Sequence, residues 1–510
     1  MKLYNHLVLC LFFIGGVLAI NNISVNLETL NFKDQYNRTR IFHGQNVVVK
    51  EYPYYPILDV YNTSMSFVEK DAQDLKKWGQ NVIRLYMSWE GFEPERQSYN
   101  YEYLAKLKEI ILLCQKYDIY VFLDAHQDLY NRFFCGEGMP DWTIMNNTNH
   151  TFPAPFKNIQ LRRDNEGAPL IQDCLKVGFF EYYFTKDASQ QGENLFLNYN
   201  GLADDFAAMW GKVAQYFASQ GDEITHLLGY EIINEPFGVS PYNHFVDWLF
   251  GGRQNNKYLL PFYKKVSQKM RENDPNRLVF YETALFDFLG GGFESNLGTP
   301  EYEVLSYHIY CGVNNSQGDP SSSILCHILD TTFINAKEKN IKSMKVGGFL
   351  TEFGALTNST KSSDELDFVL NKADKHLRSW AHWQYKGYGD ITTQSNSDSE
   401  GFFDSNGNLQ SNKVKHLSRP FAYAICSQGG EIISEFTPSK VTYELSYLSG
   451  NCRGQQTEIY LSEEFWFTNK KIVKAENVQD LVAIEGQPKG YYKVIPLNQN
   501  KQVHLIIKNK

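Results

Sequence analysis

The chain has 510 residues, too long for one ordinary hydrophobic core, and its length implies about two domains. Hydrophobic residues make up 43% and charged residues 21%, a composition that folds into a globule and excludes a disordered chain. The formal net charge of −9 excludes the basic stripe that a nucleic-acid partner requires, and aromatics at 15% supply a large core, a cleft lined with rings, or both.

Met1-Lys2 and His6 precede an apolar run from Leu7 to Ile20, and Val17-Leu18-Ala19 fits a signal-peptidase site. The run is short for a membrane span, so residues 1–19 read as a signal peptide cleaved after Ala19, with an uncleaved anchor as the alternative. No second long apolar stretch follows. Sequons at Asn22, Asn37, Asn62, Asn146, Asn149, Asn314 and Asn358 agree with a secreted glycoprotein. The same entry signal serves a lysosome or digestive vacuole. Loss of the leader removes Cys10 and leaves seven cysteines, and an odd count in an oxidising compartment implies pairs plus one free thiol. Cys114 lies in the apolar helical run Ile110-Ile111-Leu112-Leu113-Cys114 and is expected to be buried and unpaired. The expected disulfides are Cys135–Cys174, Cys311–Cys326 and Cys426–Cys452. Each would tie down a loop or stay within one region, although sequence alone proves no connectivity.

Short apolar runs then alternate with amphipathic stretches. The runs at 46–50, 81–87, 119–125, 227–234, 277–281, 304–310, 346–353 and 379–385 are mostly continuous, as parallel strands buried on both faces are. Stretches such as 66–78, 101–117, 203–220 and 258–273 carry helical periodicity. Eight β/α repeats predict an α/β fold, a (β/α)8 TIM barrel; alternation alone also admits a doubly wound sheet. Residues 126–202, after the third strand, form a connection of the length that is usually functional, and in a barrel it would overhang the strand C-termini. After about Ser418 the helical period stops, and 441–448, 456–461, 471–474 and 503–508 read as strands. The expected architecture is a catalytic barrel over residues 20–420 and a small C-terminal β-sandwich over 421–510, which would cover the barrel's flank or bind carbohydrate or lipid.

Polar and ionisable residues stand repeatedly at the ends of the apolar runs: Arg84, Tyr86 and Glu90; Asp124, His126 and Asp128; Glu231, Asn234 and Glu235; His308 and Tyr310; Glu352; His382 and Trp383. In a barrel these ends converge on one bowl. One such residue is readily explained as a satisfied buried polar group; six strand ends together are not. The chemistry they suggest is glycoside hydrolysis, which needs two carboxyl groups in different electrostatic environments. Pro236 should restrict Glu235 to extended backbone, and Gly354 lets the chain turn away after Glu352. Arg84 would keep a carboxylate ionised and Tyr310 would orient it. Asn234 would donate to a sugar 2-hydroxyl. His126 and His308 would hydrogen-bond substrate or the acid, and Trp383 offers a flat face for a sugar ring.

Asn234-Glu235-Pro236 and Thr351-Glu352-Phe353-Gly354 resemble the two catalytic motifs of glycoside hydrolase family 5, and Arg84, His126, His308, Tyr310 and Trp383 match its other active-site positions in order. The stretch 124–142 is similar to the endoglycoceramidase and endogalactosylceramidase subgroup, which also carries a C-terminal β-sandwich. The resemblance implies a retaining endo-glycosidase that hydrolyses the β-bond between oligosaccharide and ceramide in glycosphingolipids. Glu235 would be the acid/base and Glu352 the nucleophile that forms a glycosyl-enzyme, with their carboxyls roughly 5 Å apart. Lys50 and Asp128 fit polar binding positions of the subgroup and would contact the first sugar; a solvated strand-end lysine is the alternative for Lys50. No metal or other cofactor is implied, because His126 and His308 lack the short-range spacing of a zinc site.

A glycosphingolipid needs a cleft that is polar on one side and apolar on the other. The stretches 142–156, 177–184 and 239–250, the last with Tyr242, Phe245, Trp248, Leu249 and Phe250, are candidates for the ceramide side and for transient contact with a lipid surface or micelle; ordinary packing under long loops is the alternative. No nucleic-acid partner is expected, and the chain is expected to be a monomer. A family 5 enzyme acting on another β-glycoside, such as a β-glucan or glucosylceramide, would share the catalytic residues. A non-catalytic glycolipid-binding barrel fits poorly with both glutamates present.

Overall fold

The computed structural model describes residues 22–144, 151–287, 291–312, 319–392 and 397–510. The expected signal peptide, and the sequons at Asn146, Asn149 and Asn314, lie outside the described residues.

Eight parallel strands close a barrel: β1 (His43–Val47), β2 (Val82–Tyr86), β3 (Tyr120–Asp124), β4 (Leu227–Glu231), β5 (Leu278–Tyr281), β6 (Glu303–Ile309), β7 (Gly347–Phe353) and β8 (Ser379–His382). The return of β8 onto β1, with Trp380 opposite His43 and His382 opposite Gln45, rules out the doubly wound alternative. All the strands are buried almost throughout, which is why most read as continuous apolar runs; β1 differs, since its residues His43-Gly44-Gln45-Asn46-Val47 are largely polar and precede most of the expected run at 46–50. Outside lie α1 (Glu69–Lys77), α2 (Tyr101–Lys116), α3 (Leu202–Ala218), α4 (Leu260–Arg271), α5 (Ser323–Met344), α6 (Thr360–Lys375) and α7 (Ser411–Leu417). Their ends carry the expected chemistry. The Asn100 side chain accepts from the Tyr103 amide at 3.2 Å to start α2, and Ser359 accepts from the Ser362 amide at 3.1 Å to start α6. Leu104, Leu107, Ile111 and Cys114 form the buried stripe of α2 at helical spacing.

The fifth repeat departs from the expected β/α pattern. Among the described residues no α-helix follows β5; the chain reaches β6 through a single 3-10 turn, Pro300–Tyr302. Gly291, Gly292, Gly298 and Pro300 break any helical period here. Side chains hold the loop instead: Asp287 accepts from the Gly291 and Gly292 amides at 2.9 and 3.0 Å, and Glu303 accepts from the Leu297 amide at 2.7 Å. This wall of the barrel mouth is therefore loop, and it bears on the site below.

The N-terminal residues do two jobs that their short strands did not reveal in the sequence. Ile23, Val25 and Phe32 pack beneath the barrel on Phe42, Val82, Phe122, Phe280 and Phe349, plugging its N-terminal end. Thr39–Arg40 then pairs with β9 (Phe421–Ile425), so the chain's beginning joins a sheet of the C-terminal region. That region adds β10 (Ile433–Thr437), β11 (Thr442–Leu448), β12 (Thr457–Tyr460), β13 (Lys470–Glu476), β14 (Val478–Ala483), β15 (Tyr491–Pro496) and β16 (Gln502–Asn509). They form two antiparallel sheets, one ordered β9-β12-β15-β14 beyond the N-terminal strands and one β10-β11-β16-β13, around a core that includes Phe436, Tyr443, Leu445, Ile459, Trp466 and Leu505. The sheets sit on the flank of α1 and α6: Tyr491 donates to the Lys76 carbonyl at 2.7 Å, and Arg419 to Asp374 at 2.8 Å. Disulfides join Cys135 to Cys174, Cys311 to Cys326 and Cys426 to Cys452, and Cys114 is buried and unpaired. No helix among the described residues is long and apolar enough to cross a membrane.

Candidate active site

The C-terminal ends of the barrel strands bring together the side chains singled out from the sequence. Arg84, in β2, is fully buried and is the hub. Its Nη1 donates to Glu352 Oε1 at 2.5 Å and to Asn46 Oδ1 at 3.1 Å. Its Nη2 donates to Asn234 Oδ1 at 2.8 Å and lies 3.0 Å from Asp124 Oδ2, and Nε donates to Glu231. Charge-assisted bonds of this kind fix geometry strongly. Burial opposes the guanidinium charge, and the surrounding carboxylates more than restore it, holding Arg84 well above its ordinary value.

Glu352, in β7, has its second oxygen 2.7 Å from the Tyr310 hydroxyl, which donates to it. Burial pushes the Glu352 carboxyl up; His308 and Arg84 pull it back down, and Glu235 adds to the upward push. Tyr310 is itself raised well above its ordinary value by burial and by Glu352, so it remains a phenol and a donor. Glu235 lies beyond β4, with Oε1 2.7 Å from Nδ1 of His308. The other nitrogen of that ring, Nε2, is 3.0 Å from Glu282 Oε1. Burial lowers the imidazole, but Glu282 and Glu352 raise it well above its usual value, which favours the charged ring. Oxygens of Glu235 and Glu352 come within 4.8 Å of one another.

The backbone at Glu235 corrects the sequence expectation. Its φ is +39°, not extended. Proline at the next position disfavours the right-handed helical region, but the chain here escapes into the left-handed region, a strain of about 1–3 kcal/mol for a non-glycine residue. Surrounding bonds hold it: the Gln127 amide donates to the Asn234 and Glu235 carbonyls at 2.8 and 3.2 Å, and the Phe237 amide donates to the Tyr130 hydroxyl at 3.2 Å.

A second charged group stands beside the first. Lys50 is buried, 2% exposed, so it is not a solvated strand-end lysine. Its ammonium donates to Asp128 at 2.6 Å, Thr392 at 2.8 Å and Asp390 at 2.9 Å. Burial pushes Asp128 up, but Lys50 and His126 hold it well below the usual carboxylate range. His126 places Nδ1 2.8 Å from Asp124; against its burial, Asp124 and Asp128 raise it to about 10. Glu137, whose oxygen accepts from Tyr86 at 3.1 Å, is pushed by burial to about 8. The Trp383 ring stacks on His126 at 5.2 Å between centroids, and the Lys50 ammonium lies 5.1 Å from its centre. One flank of the indole is thus already taken by protein, and the remainder lines the cavity.

Glu235, Glu352, Asn234, His126, Asp128, His308, Tyr310 and Trp383 line a cavity of about 540 Å³, while Lys50, Arg84 and Glu137 lie behind that lining. Its floor is polar, with Glu235, Glu352, His126, Asn234, His308 and Tyr310; Phe179, Phe180, Leu285, Phe286 and Phe333 form an apolar wall on the β5, β6 and α5 side. Of the aromatic stretches expected to meet lipid, 177–184 divides. Phe179 and Phe180 reach the cavity, while Tyr182 and Tyr183 are buried core. Trp142 packs edge-on against Trp89, and residues 145–150 lie outside the described residues. On the helix Pro241–Leu249, Phe245 and Leu249 face solvent, while Trp248 packs against Phe184 and Phe286 behind the wall.

Among the described residues, three sets of side chains bring potential ligand atoms within 4.8 Å of one another: His126, Asp128 and Glu137; Glu231, Glu282 and His308; and Glu235, His308 and Glu352. Each set contains an imidazole whose pKa its carboxylate neighbours raise, as in an ion-paired cluster. Sequence reasoning assigned no role to Asp124, Glu231, Glu282, Asp390 or Thr392. Glu282 follows the apolar run Leu278–Tyr281 as the other site residues follow theirs, so the same rule finds it. Asp390 and Thr392 sit in an aperiodic loop after β8 and carry no such signal.

Residues 44–389 match the family model described as cellulase, glycosyl hydrolase family 5. The chain is 31% identical over 452 residues to an endoglycoceramidase of Cyanea nozakii, covering 88% of this chain and 86% of that protein. It is 33% identical over 453 residues to an endoglycoceramidase of Hydra vulgaris, covering 88% and 82%. Among solved structures, endo-glycoceramidase II from Rhodococcus sp. in its ganglioside GM3 complex shares the fold with a TM-score of 0.70 at 19% identity, over 94% of this chain and 99% of that one.

Proposed function

The chain belongs to glycosyl hydrolase family 5, and we propose that it is a retaining endo-glycosidase that hydrolyses the β-bond between oligosaccharide and ceramide in glycosphingolipids. The observation that carries this reading is the division of one cavity into a floor with two apposed carboxyl groups and an apolar wall. The names of the relatives from Cyanea and Hydra support the same substrate class. Phe179, Phe180, Leu285, Phe286 and Phe333 along one side offer few hydrogen bonds to the hydroxyls of a soluble β-glucan and suit an apolar aglycone better.

In this reading Glu352 is the nucleophile. Its oxygens are aimed by Arg84 and Tyr310, and it attacks the anomeric carbon to form a glycosyl-enzyme while Glu235 protonates the departing glycosidic oxygen. Glu235 then takes a proton from water, which attacks the same carbon and frees Glu352. Oxygens within 4.8 Å suit the roughly 5 Å separation of retaining enzymes better than the wider spacing of an inverting pair. Asn234, oriented by Arg84, binds the sugar 2-hydroxyl, and Lys50, Asp128, His126 and Trp383 hold the first sugar, with Asp390 and Thr392 fixing Lys50.

Residues 20–420 act as the catalytic unit, with 421–510 as the appended β-sandwich. The leader at 1–19 delivers the chain to an oxidising lumen or outside the cell, where the three disulfides would persist. Exposed apolar side chains on the strand-end face, Phe245 (59% exposed), Ile324 (76%) and Ile328 (58%), suit contact with a lipid surface. A 2-deoxy-2-fluoro glycoside tests the mechanism: mass spectrometry of the digested enzyme should find the sugar on Glu352, and a label elsewhere would displace the nucleophile.

A further inference from the structure

Helix α5 turns one side toward the cavity. Asp330, Phe333 and Lys337, spaced three and four residues apart and so stacked on a single face, all line it. Two of them have evident places. Phe333 belongs to the apolar wall, and the Asp330 carboxyl is paired with that of Glu365 on α6. Lys337 is different. Its Nζ donates to the Thr283 hydroxyl at 2.6 Å, a neutral partner, and no carboxylate of the described residues forms an ion pair with it. The acids nearest in charge are engaged elsewhere. Asp287 accepts from Asn255, Gly291 and Gly292, and Glu282 faces His308. Burial pulls Lys337 below its ordinary value.

An ammonium offers three donors, and Lys337, part-buried with one neutral bond and no ion pair among the described residues, has donors left for a ligand that enters the cavity. Thr283 accepts from Lys337 and keeps its own hydroxyl proton to give. Lys337 and Thr283 stand among Leu285, Phe286, Phe333, Phe179 and Phe180 in the lining, and the acids on that side, Asp287 and Asp330, are engaged by protein partners. A simple alkyl or steryl aglycone brings no acceptor to that wall beyond the glycosidic oxygen. An N-acylated amino-alcohol brings an amide carbonyl and a hydroxyl, close to the scissile bond.

Building on the function proposed above, we infer that Lys337 and Thr283 form a recognition point for the amide-bearing head of the lipid aglycone, with Lys337 donating to the amide carbonyl. The pair makes the cavity selective for N-acyl amino-alcohol glycosides over glycosides of plain fatty alcohols. Discrimination against the plain lipid follows from its having no acceptor to offer the ammonium.

The test compares kcat/KM on two substrates with the same sugar head in the same micelles, a ceramide glycoside and an alkyl glycoside of matched chain length. The wild type should favour the ceramide glycoside. Lys337→Met, which keeps the apolar stem and removes the donors, should lower the ratio of the two values by about ten-fold or more. Thr283→Val should lower it in the same direction, and Lys337→Arg should retain more of it than methionine does. A ratio unmoved by Lys337→Met, including an equal fall on both substrates, would overturn the inference and show that Lys337 only braces the β5 loop. A wild type that prefers the alkyl glycoside overturns the inference while leaving a lipid glycosidase; a wild type that cleaves neither lipid overturns both readings.

Discussion

Glu235 and His308 are joined by a 2.7 Å contact between Oε1 and Nδ1, and the far nitrogen of the same ring faces Glu282 at 3.0 Å. The imidazole therefore sits between two carboxyl groups, one beside the reacting bond and one behind it. Glu282 is among the charges that favour the charged ring despite its burial. Glu282→Gln should let His308 lose its proton at lower pH, by roughly one unit or more. The alkaline limb of kcat/KM should move toward acid by that amount. The stability contributed by His308, whose folded pKa is raised, is complete below about 6.5 and vanishes as pH rises through the folded value; in the variant it should vanish earlier. An unchanged alkaline limb would remove Glu282 from this role.

The two carboxyl groups should respond differently to mutation. Glu352→Gln should lower kcat by at least about a thousand-fold on every substrate, as loss of a nucleophile does, with little change in substrate binding measured by calorimetry. Glu235→Gln should cost about a hundred- to ten-thousand-fold on a lipid substrate, and far less on an aryl glycoside whose leaving group needs no proton. Equal losses of Glu235→Gln across leaving groups would count against the acid assignment.

Arg84 offers a stability test independent of turnover. It contacts Asp124, Glu231 and Glu352 in a fully buried setting. Arg84→Met leaves those carboxylates uncompensated and should destabilise the fold by about 3–5 kcal/mol. The sign with pH is informative. Burial already raises Glu231 and Glu352; without the guanidinium their folded pKa values rise further above the unfolded ones, so their neutral forms favour folding. The stability of the variant should recover as pH falls toward about 4 and decline as pH rises. Thermal melts from pH 4 to 8 would show this, and a deficit independent of pH would contradict it.

How much of this was legible in the sequence depends on how local each signal is. The barrel shows in continuous apolar runs, because each strand is buried on both faces, and the bowl shows in the polar residue that ends each run. That local rule finds Arg84, His126, Glu235, His308 and Glu352, and applied to the fifth run it would have found Glu282. It cannot find Asp390 and Thr392, which a loop brings to Lys50, nor Lys337, whose neighbourhood in sequence is an ordinary helix. That no α-helix follows β5 among the described residues goes with Gly291, Gly292 and Gly298, whose effect the expected repeat masked. Thr39–Arg40 is too short to carry a period, so its pairing with β9 was invisible. The positive φ of Glu235 reflects a tertiary scaffold of Gln127 and Tyr130 that overrides a neighbour rule based on proline alone.

Contact with a lipid surface is tested on side chains that lie outside the cavity. Replacing Ile324, Ile328 and Phe245 by serine removes apolar area worth about 1.5–3 kcal/mol for each side chain that becomes fully buried. Hydrolysis of a glycolipid presented in vesicles should fall about ten-fold or more, a consequence of the same burial energy, while a water-soluble aryl glycoside is turned over at the rate of the wild type. An undiminished vesicle rate would mean that this face does not meet the bilayer.

The central claim is tested most directly by mass spectrometry of the products from a purified ganglioside incubated with the enzyme in detergent. The account predicts an intact oligosaccharide together with free ceramide. Sequential loss of single terminal sugars, or no cleavage beside good activity on a β-glucan, would contradict it.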